Sequence, residues 1–464
     1  MWMKKIVMVL ASVALAVGML FFGSYTGTTD DMRTAAAQTS AAQANVVFIL
    51  TDDLDKRLLA SHLSDYPNIR ALAAHGVTFN NAFVTNALCC PSRSTIFTGQ
   101  YSHNHGIMTN TAPDGGAAAF RPLEAKALPV WLDNAGYATG YVGKYMNEYD
   151  GTYVPPGWDA WHGIDTDTVG EKPGQMTDVF SDQAASFVRN RAGATPFYLE
   201  VAPVAPHEPA IPYPRHADLF AGEKTPQPPS FNEADVSDKP GYVRKLKPLT
   251  RNQIISFNEL YRNRLRSMMA VDEMVGRLVA TLRARGELSS TYILFASDNG
   301  VHVGQHRLRE GKRLAYEEDI RVPLIVRGPG VPASVTRSQM VLNNDLAPTF
   351  AQWAGVRPPL SQDGRSLAPL LRSTPPARWR TAFLAESAPH ERIGRPAYRA
   401  VRTENYLYVS YANGEKELYN LERDPYDLRS YYPGAGNALK DRLRGRLSSL
   451  AGCAGAGCRT AEGQ

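Results

Sequence analysis

Apolar, β-branched runs of strand length alternate with helical stretches along most of this chain, and no other feature restricts its fold as much. The strand-like runs are NVVFIL at 45–50, VTFNNAFV at 77–84, ATGYVG at 138–143, PFYLEVAP at 196–203, TYILFASDNG at 291–300 and VPLIVRGPG at 322–330. Helical patterns occur at 68–76, 254–285 and 345–354. Alternation of this kind predicts an α/β fold with a mixed, mostly parallel sheet sandwiched by helices.

A change of composition predicts a domain boundary between about Gly355 and Arg380, where Pro and Arg are frequent. Beyond it, YRAVRTENYLYVSY and GEKELYNLERDP have the alternating pattern of hairpin strands. The chain is therefore expected to form a main domain over 45–370 and a smaller C-terminal antiparallel subdomain over 380–450. A tail over 451–464 follows.

The first residues have the order of a targeting segment. Lys4 and Lys5 precede the uncharged run Ile6–Gly23, and an alanine-rich polar stretch with small-x-small sites follows. This order is typical of a secretory signal, predicted over residues 1–37, although the run is also long enough for an uncleaved membrane anchor. The chain contains no N-x-Ser/Thr sequon, which favours a bacterial source. We therefore expect a secreted, cell-surface or periplasmic bacterial protein.

The four cysteines form two pairs in the sequence. In an exported protein, Cys453 and Cys458 in the string CAGAGC are expected to close a small disulfide loop. Cys89 and Cys90 are adjacent, and adjacent cysteines seldom bridge each other because a vicinal disulfide strains the peptide bond between them. This pair needs another explanation.

The net charge bears on one class of partner, nucleic acids. Lys plus Arg number 50 and Asp plus Glu number 45, which gives a formal charge of +5 on 464 residues. This excess is too small to indicate a nucleic-acid partner, so we expect none. The charge is compatible with a small anionic substrate.

Oxygen-bearing side chains follow two of the predicted strands. Asp52 and Asp53 come after NVVFILT, and Asp298 and Asn299 come after TYILFAS. Ligands of parallel sheets gather at the carboxyl ends of the strands, and hard oxygen donors suit Ca²⁺. Taken singly, the first pair could instead cap a helix and SDNG could form a tight turn.

The string CCPSRSTIFTG, Cys89–Gly99, is the most informative part of the chain. A Cys-Pro pair alone is typical of a buried thiol before a helix with Pro in its first turn. The whole string, however, resembles the type I sulfatase signature C-x-P-S-R followed by T-G, in which the first cysteine is oxidised to Cα-formylglycine (3-oxoalanine). Together with GKYMNEY, PHEP and SDNGVHVGQH, it looks most like the N-acetylglucosamine-6-sulfatase branch. The resemblance extends from about Asn45 to Pro425.

The resemblance implies an alkaline-phosphatase-like fold, sulfuric ester hydrolysis, one bound Ca²⁺ and a formylglycine made from Cys89. The implied metal ligands are Asp52, Asp53, Cys89, Asp298 and Asn299. The implied catalytic residues are Cys89, Arg93, Lys144, His207 and Lys312. Arg93 follows Cys89 by one helical turn, where it can hydrogen-bond the formylglycine hydrate. Lys144 and Lys312 match the family's two lysines, and His207 matches the histidine that binds sulfate and protonates the leaving group.

Hydrolysis of a sulfate monoester requires charge neutralisation and a strong nucleophile. A sulfate monoester resists attack because its negatively charged oxygens repel a nucleophile. A metal-bound aldehyde hydrate supplies both charge neutralisation and a strong oxygen nucleophile, since the metal lowers the pKa of the hydrate as it does for bound water. The second hydroxyl of the hydrate lets sulfate leave as the aldehyde re-forms. A serine at position 89 could accept sulfate but would have no comparable way to release it.

One position departs from the pattern of many arylsulfatases, which read G-K-x-H. Met146 stands where their histidine acts as the base that unravels the sulfated hydrate, a loss that the glucosamine-6-sulfatase branch shares. His103, His105 and His302 are alternatives for this proton transfer, and each could equally be structural or contact the substrate. We expect His302 to bind substrate.

The resemblance also implies partners and leaves alternatives open. The partners are a sulfated carbohydrate, with 6-O-sulfated N-acetylglucosamine as the indicated substrate, and a formylglycine-generating enzyme that reads Pro91 and Arg93. The oligomeric state stays open. So do two other functions, a phosphodiester or phosphonate monoester hydrolase of the same superfamily and a glycan-binding protein that is never converted at Cys89. Asn299 favours sulfate esters, because the phosphonate enzymes usually place His there, a ligand better suited to Mn²⁺ or Zn²⁺.

Overall fold

The computed structural model describes residues 43–165, 176–191, 193 and 195–463. The predicted signal over 1–37 lies outside these residues. The strands are β1 Asn45–Thr51, β2 Val77–Phe79, β3 Ala82–Phe83, β4 Ala138–Lys144, β5 Ala160–Ile164, β6 Phe197–Ala202, β7 Thr291–Ser297, β8 Arg321–Val322, β9 Leu324–Arg327, β10 Val335–Arg337, β11 Val341–Leu342, β12 Ala382–Ser387, β13 Tyr398–Thr403, β14 Tyr406–Tyr411 and β15 Lys416–Asn420. The α-helices are α1 Lys56–His62, α2 Pro67–Ala74, α3 Cys89–Thr98, α4 Ser102–His105, α5 Gly116–Glu124, α6 Leu128–Asn134, α7 Thr177–Asn190, α8 Gly241–Arg244, α9 Arg251–Ala284, α10 Glu317–Ile320, α11 Leu346–Ala354, α12 Asn437–Ala451 and α13 Ala456–Ala461. Within the described ranges, no helix is both long and apolar enough to cross a bilayer.

The main sheet has eight strands in the order β10-β2-β9-β7-β1-β6-β4-β5. The strands from β7 to β5 are parallel neighbours, and β10 is parallel to β2. Only β9 runs against its neighbours β2 and β7 in this sheet. The predicted mixed, mostly parallel sheet is therefore confirmed, and the direction of β9 accounts for the mixed character.

Helices cover both faces of this sheet, as the alternation predicted. Successive residues of β1 point to opposite sides, so Phe48 packs in one hydrophobic cluster and Ile49 in the other. The cluster around Phe48 includes Ile96 of α3 and Phe350 of α11. The cluster around Ile49 includes Leu265 of the long helix α9. Two apolar layers thus fix the sheet between helices.

A separate four-stranded antiparallel sheet, β12-β13-β14-β15, follows the main sheet in sequence. The predicted hairpin corresponds to β13 and β14, and GEKELYNLERDP supplies β15. The sequence pattern did not indicate β12, a fully buried six-residue strand at 382–387. The expected disulfide joins Cys453 to Cys458.

The run VTFNNAFV does not form one strand. It divides into β2 and β3, which belong to different sheets. Asn80 and Asn81 lie between them, and the Asn81 side chain donates to the carbonyl of Ser338 at 2.6 Å. An Asn pair of this kind favours a turn, which interrupts the strand pattern.

Candidate active site

Most of the predicted metal ligands, with Lys144 and His207, lie at or just after the carboxyl ends of four adjacent parallel strands. Asp52 and Asp53 follow β1, Asp298 and Asn299 follow β7, and Lys144 ends β4. The fourth strand, β6, leads through a short loop to the PHEP segment. Because β7, β1, β6 and β4 are neighbours in the sheet, residues almost 250 positions apart meet at one edge, as expected for ligand sites of parallel sheets.

Helix α3 presents Cys89 to this edge. It begins at Cys89 after the extended residue Leu88, and Gly99 ends it with a left-handed φ of 70°. Pro91 fits in the first turn, where its missing N–H removes no helical hydrogen bond. All ten residues of the helix are buried, so its position is fixed by packing on every side.

The two adjacent cysteines face different surroundings. Cys89 Sγ lies 3.7 Å from Asp52 Oδ1 and 3.0 Å from Lys312 Nζ. Cys90 Sγ instead accepts from the backbone N–H of Asn147 at 3.2 Å. Burial, and then the neighbouring Cys89, raise the pKa of Cys90 to about 12. Cys89 thus belongs to the charged cluster, and Cys90 belongs to the packed interior.

Each of the three aspartates of the site forms an ion pair with a cationic side chain. Arg93 Nε donates to Asp298 Oδ2 at 2.9 Å, Lys144 Nζ donates to Asp52 Oδ2, and Lys312 Nζ donates to Asp53 Oδ1. Arg93 Nη1 also donates to the carbonyl of Lys144 at 2.5 Å. The guanidinium of Arg93 therefore binds Asp298 and the end of β4, a contact that the spacing from Cys89 did not predict.

These ion pairs set the charge states of the buried groups. Burial alone would raise the pKa of Asp52, but Lys144, His207 and Lys312 outweigh it and hold that pKa well below its usual value. Burial would likewise lower the pKa of Lys312, and Asp53 reverses that effect. Asp52 and Lys312 consequently favour their charged forms, whereas burial, followed by repulsion from Asp52, raises the pKa of Asp298.

The donor set fits a hard cation. Asp52, Asp53, Cys89 and His207 each offer a ligand atom, and these atoms lie within 4.8 Å of one another. Asn299 Nδ2 donates to Asp53 Oδ1 at 2.6 Å, which leaves its buried Oδ1 without a hydrogen-bond partner among the described residues. A buried acceptor without a donor is costly, and a bound cation would satisfy it. Carboxylate and amide oxygens are the ligands that Ca²⁺ prefers.

His207 lies at the rim of the cluster, with its side chain 29% exposed. Its Nδ1 is 2.6 Å from the carbonyl of Glu208, so Nδ1 must be the donor in that hydrogen bond. Its Nε2 lies 3.5 Å from Asp53 Oδ2. The fixed ring therefore presents Nε2 to the reacting group.

The other histidines raised as alternatives have hydrogen-bond partners outside the group of Asp52, Asp53 and Asp298. His302 is 4% exposed, and its Nδ1 is 2.8 Å from Asp319 Oδ1. Its backbone pairs with Gly311, beside Lys312, so it holds the loop that carries the lysine. Its contact with substrate stays a prediction.

His103 and His105 support the scaffold in the structure. His103 Nδ1 is 2.8 Å from Glu386 Oε1, and His105 Nε2 is 3.0 Å from Thr95 Oγ1 on the far part of α3. Met146 is fully buried in the apolar cluster. Both histidines thus have structural partners, and a part for either of them in proton transfer stays a prediction.

One residue that belongs to none of the sequence motifs, Arg264, supports the site through the backbone of Asp53. Arg264 of α9 donates to the carbonyl of Asp53 at 2.6 Å and to Asp55 Oδ2 at 3.0 Å. Asp53 has a left-handed φ of 63°, a conformation that a non-glycine residue adopts only when its surroundings hold it. The signal in the sequence was the position of Arg264 next to Leu265, within the apolar stripe of a long helix, where an arginine must have a buried partner.

Comparison with known proteins gives this arrangement a family. The model of the sulfatase family matches residues 44–356, well over half of the chain, and spans every residue of the charged cluster. The chain belongs to the sulfatase family. A second model, N-sulphoglucosamine sulphohydrolase, C-terminal, matches residues 304–451. The protein is therefore a sulfuric ester hydrolase, and the predicted family is confirmed.

Relatives of this sulfatase align along most of its length. An arylsulfatase from Volvox carteri is 36% identical over 91% of this chain and 77% of its own. The N-acetylglucosamine-6-sulfatase of Homo sapiens is 32% identical over 90% of this chain and 86% of its own. A solved structure in complex with its substrate D-glucosamine-2-N,6-O-disulfate has a TM-score of 0.75 and 27% identity, and it covers 88% of this sulfatase and 97% of that chain. These similarities confirm the expected fold.

Proposed function

We propose that this sulfatase hydrolyses the 6-O-sulfate ester of N-acetylglucosamine in a sulfated glycan, by means of a formylglycine made from Cys89 and one Ca²⁺. The observation that carries the proposal is the position of Cys89. Its Sγ lies between Asp52 and Lys312 at the start of α3, whereas Cys90 faces Asn147. Only the first cysteine is placed to react with a bound sulfate ester.

Each ion pair of the cluster has a role in this reaction. Lys144 and Arg93 neutralise and orient Asp52 and Asp298, so that their remaining oxygens can bind Ca²⁺. When bound, Ca²⁺ would neutralise sulfate oxygens and favour the ionised form of the hydrate. Lys312 lies beside both residue 89 and Asp53, where it can offset negative charge that develops on the ester oxygen.

The substrate class is supported by the relatives. Two independent similarities, to a human N-acetylglucosamine-6-sulfatase and to a structure bound to a 6-O-sulfated glucosamine, point to the same ester position. The predicted secretory signal and the disulfide support our further proposal that the protein acts outside the cytoplasm, where sulfated glycans are found.

Sulfate release from defined substrates tests the function. The protein, purified from a host that contains a formylglycine-generating enzyme, should hydrolyse N-acetylglucosamine 6-sulfate at least about tenfold faster in kcat/KM than the 3-sulfate isomer, because the pocket must recognise the ester position. Phenyl phosphonate monoesters should react more slowly than aryl sulfates. Faster turnover of the phosphonates would instead favour the phosphonate monoester hydrolase alternative. Sulfate binding without turnover, in protein whose conversion at Cys89 has been verified, would favour the glycan-binding alternative.

Replacing His207 by alanine should separate binding from proton transfer. We expect kcat on N-acetylglucosamine 6-sulfate to fall by roughly 10²-fold or more, the usual contribution of a general acid. The loss should be smaller on 4-nitrophenyl sulfate, because nitrophenolate leaves without a proton whereas a sugar alkoxide needs one. Steady-state rates on both substrates give the comparison.

A matched control for this substitution is His75→Ala, which changes an exposed histidine whose ring hydrogen-bonds the carbonyl of Ala71. It should leave both rates unchanged. Equal fractional losses on the two substrates in His207→Ala would show that His207 only holds sulfate or the fold. The general-acid role would then pass to Lys312 or to another residue.

A further inference from the structure

The pocket above the cluster carries more positive charge than the proposed reaction uses. It has a volume of about 230 Å³, and its walls include Lys312, Arg313, His390 and Arg392. Lys312 is held by Asp53 and Cys89. The other three side chains have no role in the chemistry described above.

Arg313 combines an unusual backbone conformation with a side chain that lacks a partner among the described residues. Its φ is 80°, in the left-handed region that disfavours a side chain, and its N–H donates to the carbonyl of Ala87 at 3.0 Å. Its side chain is half-buried, yet it makes no ion pair or side-chain hydrogen bond with any residue that the structure describes. Burial, together with repulsion from Arg395, lowers the pKa of Arg313.

A second arginine shows what a purely structural role looks like here. Arg307 also has a left-handed φ, 64°. Its guanidinium donates to three backbone carbonyls, those of Glu233, Ala234 and Leu246. Its guanidinium therefore stabilises the backbone of the 233–246 segment. Arg313 has comparable backbone strain without such partners, so its guanidinium is available to a ligand.

The carboxylates of the same pocket do not supply that partner. Glu208 and Glu310 line it as well, and burial followed by repulsion from Glu310 raises the pKa of Glu208. The arginine that offsets the charge of Glu208 is Arg392. Arg313 is therefore left facing the pocket with an unmatched positive charge.

The position of Arg313 relates it directly to the reacting group. It follows Lys312, whose Nζ is 3.0 Å from Cys89 Sγ, and Ala87, which holds its backbone, lies two residues before Cys89. Any group that Arg313 binds must lie close to the sulfate that is cleaved.

We propose that Arg313 binds a second anionic group of the substrate, on the sugar that carries the cleaved ester or on the adjacent sugar. This inference rests on the proposed function. A planar guanidinium binds sulfate, sulfamate or carboxylate with paired charge-assisted hydrogen bonds, so the chemistry suits any of these groups. Arg313 thereby selects sugars with two negative charges over sugars with one.

Kinetics on four substrates test the assignment with Arg313→Gln. Two substrates have one anion, 4-nitrophenyl sulfate and N-acetylglucosamine 6-sulfate. The others have two, glucosamine 2-N,6-O-disulfate and a disaccharide of 6-O-sulfated N-acetylglucosamine beside a uronic acid. We expect kcat/KM to fall about 10- to 100-fold on at least one two-anion substrate, the range for a lost charged hydrogen bond, and much less on the one-anion pair. The substrate that is affected tells whether the second anion lies on the same ring or on the next one.

Two further variants keep the test decisive. Arg313→Gly suits the left-handed backbone and removes the guanidinium, so it should fold and reproduce the loss. Arg309→Gln changes an exposed arginine of the same segment and should leave all four rates unchanged. An equal loss on all four substrates, or no loss on either two-anion sugar, would overturn the assignment.

Calorimetry on non-reacting protein separates this inference from the proposed function. In a Cys89→Ala background, glucosamine 2-N,6-O-disulfate and the uronic acid disaccharide are each titrated against N-acetylglucosamine 6-sulfate, with and without Arg313→Gln. Loss of the preference for a two-anion ligand on adding Arg313→Gln supports the assignment even if the active protein hydrolyses none of the esters, in which case the proposed function is wrong. If Arg313→Gln changes no preference, the assignment is wrong whatever the enzyme hydrolyses.

Discussion

Replacing Cys89 by alanine should abolish sulfate ester hydrolysis, with a loss in kcat of at least about 10⁴-fold, as for other enzymes that lose their covalent nucleophile. Cys90→Ala should keep most of the activity. Its thiol packs against Asn147, outside the charged cluster, so its removal affects packing more than chemistry. Rates on 4-nitrophenyl sulfate, together with thermal denaturation, measure both effects.

Mass spectrometry of the peptide that contains both cysteines provides the control. Oxidation to formylglycine replaces sulfur by oxygen, and fragmentation assigns the change to position 89 or 90. The same change should be present in active Cys90→Ala protein and missing from Cys89→Ala protein. If Cys89→Ala retained normal turnover while Cys90→Ala lost it, the assignment of the nucleophile would be wrong.

Removing divalent metal should also eliminate activity, and Ca²⁺ should restore it better than Zn²⁺. All four proposed protein side-chain ligands outside position 89 offer oxygen, which favours Ca²⁺ over a metal that prefers nitrogen and sulfur. Chelation followed by titration with each ion, with metal content followed by elemental analysis, makes the comparison. Full activity in a preparation shown to be free of metal would exclude the proposed role of Ca²⁺.

A thermal melt gives the metal prediction a readout that does not depend on turnover. Ca²⁺ should raise the melting temperature of the chelated protein, because a ligand that binds only the folded state stabilises it. Asn299→Ala removes the unpartnered amide oxygen and should weaken that shift. Asn405→Ala, which changes an exposed asparagine far from the site, should leave the shift unchanged.

The parts of the fold that the sequence predicted correctly depend on periodicity. Strand runs such as 291–297 and the long helix α9 have strong patterns, and their ends place Asp52 and Asp298 at one edge of the sheet. The antiparallel direction of β9 has no such signal, because it depends on how the chain reaches the sheet. The buried strand β12 lacks alternation, since both of its faces are covered.

The site itself was predictable only where a motif carried it. The Cys89 string and the strand-end carboxylates belong to recognisable patterns, whereas side-chain partners depend on packing between distant segments. The hydrogen bond of Arg93 to the formylglycine hydrate stays a prediction, and its ion pair with Asp298, 205 positions away, had no signal in the sequence. Arg264 and Arg313 belong to no motif, so their contacts with the site could be identified only after the helices and loops were placed.

The complete burial of α3 sets the order of events by which the enzyme matures. Cys89 is 1% exposed in the folded chain, so the proposed modifying enzyme would have no access to the thiol once the segments that carry Asp298 and Lys312 are in place. Those segments are made about 200 residues after Cys89, a delay of roughly 10 to 40 seconds at ordinary rates of synthesis. The proposed oxidation of Cys89 would therefore have to occur while the chain is still unfolded, during synthesis or export. On this proposal, protein that folds first would stay unconverted and inactive, and the fraction of active enzyme would measure the rate of oxidation relative to the rate of folding.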